Sequence, residues 1–226
     1  MNFSTSVAIL GFCGVALIGS GCSGTAIPSS PSPVSSSAST ISASPAGTNG
    51  LADVRLLSGG SLNSQLAAVK QATAAYHDVS KAVQAGYLAP NAAACVEGPA
   101  GAMGVHSANP VLLMDGVIDP LRPEVLLYLP KNGGGFRLVG VEYVQPVIVR
   151  SPSGAVGPWF APTPWPSNYT VLTPAPTLFG TTFNGPMAGH DPGMPWHYDL
   201  HAWIWAPNPN GDLAQFNPRL SCDAVD

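Results

Sequence analysis

The sequence predicts an α+β domain in which one long N-terminal helix packs on a mostly antiparallel sheet beneath a long Pro/Gly/aromatic covering loop. Three observations predict it. Apolar residues from Leu62 to Tyr87 recur at steps of three and four, the period of a helix face. Two β-rich runs, VLLYLP (125–130) and FRLVGVEYV (136–144), flank KNGGG, a hairpin signal. A third run, WHYDLHAWIW (196–205), is aromatic and branched with prolines on both sides, which favours a strand.

Taken in chain order, residues 1–21 read as a signal peptide. VAILGFCGVALIG (7–19) has the size of a signal core and is too short for a comfortable membrane span. GSGC then places small residues before Cys22, resembling the lipobox of bacterial lipoproteins, in which that cysteine is lipidated, with palmitate among the acyl groups expected. Gly19 stands where the lipobox prefers Leu, and MNFSTS lacks the usual basic residues. Residues 22–57 read as the lipid-attachment cysteine and a Ser/Pro-rich tether, too poor in large apolar groups to offset chain entropy. Residues 58–226 then form a single globular domain.

Within that domain Leu62, Leu66, Val69, Thr73, Tyr76, Val79, Val83 and Tyr87 form one stripe of a helix over 61–85, with Ser61 as its cap and Gly86 as its stop. In the second hairpin strand Leu138, Gly140, Glu142 and Val144 are expected on one face, and Val139, Val141 and Tyr143 on the other. Both faces are apolar, so Glu142 needs a partner or a proton. An ion pair with Arg137, Arg150 or Arg219 is as reasonable as a functional role. Residues 151–195 carry too much Pro for helix and too many aromatic groups for a free linker, so they read as an ordered cover with short strands. In the last strand His197, Asp199, His201, Trp203 and Trp205 alternate with Tyr198, Leu200, Ala202 and Ile204.

Composition removes several functions. Charged residues are 9 % of the chain and the net charge is −4, so no basic surface awaits nucleic acid. GxSxG, P-loop and Rossmann patterns are absent, as are HExxH and CxxC. Of the four cysteines, Cys13 and Cys22 belong to the leader, which leaves Cys95 and Cys222 to form one disulfide in an exported domain.

The histidines carry the remaining signal. His197 and His201 stand about 13 Å apart along one strand, too far to share an ion without a bend. Neighbours two apart can converge, so Asp199 pairs with either. His190 and Asp191 on the preceding loop, His106 in GAMGVHSANP, and Glu142 are the candidates to complete a set. His106, Glu142, His190, His197, Asp199 and His201 are thus the predicted ligands for zinc, copper, iron or manganese, which such donors separate poorly. With an open coordination position, Glu142 or Asp199 could serve as a base on bound water. Without metal, the same histidines would pin loop backbone.

YHDVSKAVQAGY, CVEGPAGAMGVHSANP, RPEVLLYLP, LVGVEYV and HDPGMPWHYDLHAWIWAPNPNGDLAQFNP together resemble an uncharacterised family of exported bacterial proteins. The resemblance implies export and assigns no activity. Three readings follow. The first is an exported, lipid-anchored protein with a His/carboxylate metal site, held to the cell membrane by its N-terminal lipid, or alternatively secreted. The second is a non-catalytic envelope binding module whose Trp159, Trp165, Trp203 and Trp205 form an aromatic pocket. The third is a structural lipoprotein without a site.

Overall fold

A computed structural model describes residues 59–191 and 193–223. The expected signal segment, Cys22 and the tether lie outside the described residues. No helix among the described residues is long and apolar enough to cross a membrane.

The domain is mostly antiparallel sheet with a few short helices. Helix α1 (Leu62–Thr73) is capped by Ser61, whose side chain accepts from the Ser64 amide. The single long helix expected over 61–85 is not what forms. A 3-10 turn (Ala74–His77) follows α1, and a separate helix α2 (Val79–Gln84) begins after Asp78. Asp78 has an extended backbone and its carboxylate accepts from the Ser80 amide and hydroxyl, so it starts a new helix. The interruption slips the apolar stripe: Ala82 is buried where Val83 was expected, and Val83 is exposed. Gly86 takes φ +96° just past α2, the left-handed stop the sequence predicts.

Six strands form the principal sheet in the order β1-β2-β3-β4-β11-β10. They are β1 (Cys95–Gly98), β2 (Gly101–Ala108), β3 (Val125–Pro130), β4 (Phe136–Pro146), β10 (Asn184–Met187) and β11 (His197–Ala202). All its pairings are antiparallel. A short helix α3 (Pro110–Asp115) joins β2 to β3. Between β4 and β11 the chain makes its long excursion. This forms a second sheet of β5 (Ile148–Arg150), β6 (Val156–Pro158) and β7 (Thr170–Val171), and a pair of β8 (Thr177–Leu178) and β9 (Thr181–Thr182).

The principal sheet has two unlike faces. One holds Val105, Leu126, Tyr128, Val141, Tyr143 and Leu200, covered by Leu66, Val69 and Ala82 of the helices and by Trp159, Trp165, Tyr169 and Phe179 of the excursion. Val125, Leu127, Leu129, Val144 and Trp203 lie on the other. A bulge between Leu127 and Tyr128 changes the register against β4. It corrects the simple alternation: Leu138 joins Val141 and Tyr143, while Val139 joins Val144. Trp205 also departs from its expected face. The strand ends at Ala202, and the Trp205 ring turns to meet His77 and Lys70 on the helix side. At one sheet edge Cys95 is bonded to Cys222, 127 residues away.

Candidate metal centre

Strand alternation builds the site. His197, Asp199 and His201 are successive same-side residues of β11, and all three are fully buried. Glu142 lies directly opposite His201 on β4. Val125 of β3 stands on the other side of Glu142, and His106 of β2 is opposite Leu127. Strands β2, β4 and β11 therefore project His106, Glu142, His197, Asp199 and His201 from one face. The loop after β10 returns over that face with His190 and Asp191, whose side chains are 23 % and 28 % accessible.

The donor atoms converge. Glu142, His190, His197 and Asp199 offer one atom each within 4.8 Å of one another. So do His106, Glu142 and His201, and so do His106, His190 and Asp191. All six sequence-predicted ligands are brought together, with Asp191 as a seventh neighbour. No set contains both His197 and His201, as the extended spacing along β11 requires.

Hydrogen bonding leaves this cluster unsatisfied. Among the described residues both ring nitrogens of His106 and His201, both oxygens of Glu142, Nε2 of His197 and Oδ2 of Asp199 are buried without a hydrogen-bond partner. A native interior leaves few such atoms, and each costs about 1–3 kcal/mol. The nearest contacts are His106 Nε2 to Glu142 Oε2 at 3.5 Å and His201 Nδ1 to Asp199 Oδ2 at 3.7 Å. Both exceed hydrogen-bond length. Two donors held about 2.1 Å from one tetrahedral ion are ~3.4 Å apart. The spacing therefore fits atoms facing a common centre better than atoms facing each other.

Supporting contacts orient the donors. His197 Nδ1–H donates to the Pro195 carbonyl at 2.9 Å, which leaves Nε2 as a free lone pair aimed into the cluster. Asp199 Oδ1 accepts from Asn184 Nδ2 at 3.3 Å, leaving Oδ2 free. The other His106 nitrogen, Nδ1, faces Asp191 at 3.9 Å. His201 stacks on Trp203, with interplanar angle 23°.

Burial suppresses charge here. It holds Glu142 well above the usual carboxylate range, reinforced by Asp199 and Asp191. Burial also lowers His106 to about 3, with His190 adding to the shift, and lowers His197 to about 4 against the opposing Pro195 bond. His201 is pushed far down by burial and by the other histidines. At neutral pH these three imidazoles are therefore neutral, the protonation state in which they ligate. None of the three arginines considered as partners for Glu142 reaches it; all are on the exposed surface. His106 occupies that side instead.

Beside the cluster lies a cavity of about 290 Å³ lined by Leu88, Leu113, Val125 and Met194, with His106 and Asp191 at its polar end. Its walls are aliphatic, and none of Trp159, Trp165, Trp203 and Trp205 lines it. Trp159 instead packs edge-on against Tyr169, and Trp165 against Trp196. Of the tryptophans expected to form an aromatic pocket, Trp159 lines a separate cavity with Tyr169, and Trp203 lines another with Leu66 and Ile204. Sequence reasoning also passed over Glu124, which is buried beside β4, accepts from the Val144 amide at 3.1 Å and is raised by burial to about 8. Its place between Pro123 and Val125 gives no periodic signal of burial. No protein-family model, curated protein or solved structure matches this chain.

Proposed function

We propose that this is an exported, lipid-anchored protein that binds a divalent transition metal at the His/carboxylate cluster on its principal sheet. The observation that carries the metal reading is that His106, Glu142, His197, Asp199 and His201 hold eight buried, unpartnered donor atoms and that these residues supply the convergent donor sets. An interior designed only to pin backbone would satisfy them internally. Zinc, copper, iron and manganese all suit imidazole and carboxylate donors. The adjoining cavity lies at the lower end of ligand-pocket volumes. A small molecule that is apolar except at the end facing His106 and Asp191 would fit it.

Export rests on the apolar leader before Cys22, the Ser/Pro-rich tether, the resemblance to exported proteins, and the Cys95–Cys222 disulfide, a bond that persists in oxidising compartments. Lipidation rests on GSGC alone.

Two measurements test the reading. Elemental analysis of the full chain, expressed in a bacterial host and purified without chelator or added metal, should find bound transition metal that a His197→Gln/His201→Gln variant lacks. Metal-free protein that also retains none after dialysis against each of the four ions overturns the metal assignment. Metabolic labelling with a radioactive fatty acid should mark the wild type and not Cys22→Ala. An unlabelled wild type, released into the medium, supports secretion instead.

A further inference from the structure

We infer that the cluster is built for two ions sharing Glu142, one in a closed site and one in an open site beside the cavity. This rests on the metal reading above and goes beyond it in number, ligand division and role.

One ion cannot use the donors present. His197 and His201 are four residues apart on an extended strand, about 13 Å between Cα atoms. They fall in separate convergent sets, and those sets have only Glu142 in common. The carboxylate of Glu142 has both oxygens buried and unpartnered, so each can serve a different ion. A bridging carboxylate needs this condition, and paired catalytic ions stand about 4 Å apart.

The division is unequal. His190, His197, Asp199 and Glu142 supply four donors to the first ion, the full complement of a tetrahedral site. His106, His201 and Glu142 supply three to the second. Three protein ligands and a vacant fourth position is the arrangement of reactive rather than structural sites. His106, a ligand of the three-donor site, also lines the cavity. The three-donor site is thus the one whose ligand borders that cavity, the side from which a small molecule could reach a vacant position. Asp191 belongs to neither of these two sets; with His106 and His190 it makes a third convergent group, and its carboxylate lies 3.9 Å from His106 Nδ1.

The test is zinc stoichiometry on chelator-stripped full-length protein by equilibrium dialysis, with circular dichroism to verify folding. Wild type should saturate at two zinc ions per chain. His197→Gln and His201→Gln should each retain one, and the double variant none. Manganese(II) loaded to saturation should give a spin-coupled resonance spectrum in wild type and an uncoupled one in either single variant. Saturation at one zinc per chain overturns the two-ion inference and leaves the metal reading standing. Zero zinc overturns both. Two zinc ions lost together in either single variant overturns the division of ligands argued here. If His201→Gln fails to fold, Asp199→Asn with His106→Gln repeats the comparison across the two sets.

Discussion

Replacing Glu142 with methionine separates the demands of folding from those of metal binding. In the metal-free chain both carboxyl oxygens of Glu142 are buried and unpartnered, and its nearest polar neighbour is 3.5 Å away. Each unsatisfied atom costs about 1–3 kcal/mol, and apolar replacement of similar shape removes that cost. Glu142→Met should therefore stabilise the metal-free protein by roughly 2–4 kcal/mol. For a domain of this size that is a rise in Tm of about 5–15 °C. With zinc at a thousand times its Kd the wild type gains about 4 kcal/mol for each ion bound. The variant has lost a ligand of both sites and should gain little. The order of stability should thus cross over, with the variant ahead in chelator and the wild type level or ahead in zinc. Thermal unfolding followed by circular dichroism, with and without EDTA, measures this directly. A variant that is less stable than wild type in EDTA would refute the reasoning, because Glu142 would then be a bonded strut and its two oxygens would have partners.

Three further outcomes follow from the fold. Reducing the Cys95–Cys222 bond, or replacing both cysteines with alanine, should lower stability by about 5 kcal/mol in the chain-entropy treatment of a 127-residue loop, read as a fall in the urea midpoint. Glu124 is held neutral up to about 8 against 4.5 for an ordinary glutamate, so its stabilising contribution is complete below 4.5 and lost as pH rises through 8. Glu124→Gln should remove a decline on the order of 4 kcal/mol across that window in urea titrations; an unchanged pH profile would show that Glu124 ionises normally. At Gly101, with φ +115°, a Cβ would overlap the Asn217 carbonyl, so Gly101→Ala should cost more than ~3 kcal/mol, whereas Gly157→Ala, where a Cβ meets nothing within 4 Å, should cost under about 0.5 kcal/mol.

The site was more legible in the sequence than the frame around it, for a local reason. Alternation along β11 needs no tertiary information, and it alone puts His197, Asp199 and His201 on one face. Glu142 betrayed itself as a lone carboxylate in an apolar strand, and Cys95 and Cys222 as the two cysteines outside the expected leader and lipidation site. What failed to show depended on competition between local and distant contacts. The helix breaks because the Asp78 carboxylate caps Ser80, and the Tyr128 hydroxyl takes the Tyr76 carbonyl at 2.6 Å in the same place. Periodicity counts apolar residues and is blind to both bonds. The exchange of faces at Leu138 and Val139 comes from a bulge, which leaves no mark in a two-residue repeat. The pairing of His106 with Glu142 required the register of three strands, and the aliphatic cavity required the loop that carries Met194 to fold back over β3.

The order in which these ligands arise along the chain bears on when an ion can be captured. His106 comes from β2, Glu142 from β4, His190 from the returning loop, and His197, Asp199 and His201 from the last strand. Because β11 must insert between β4 and β10 after the whole excursion has been made, neither of the two donor sets that share Glu142 is complete until that last strand is in place. Metallation is thus among the last events of folding. For a chain exported as proposed above and folded only after crossing the membrane, the ion is chosen on the far side, from whatever that compartment supplies. In that case the cytoplasmic metal pools, however rich in the tightest-binding ions, never meet the finished site.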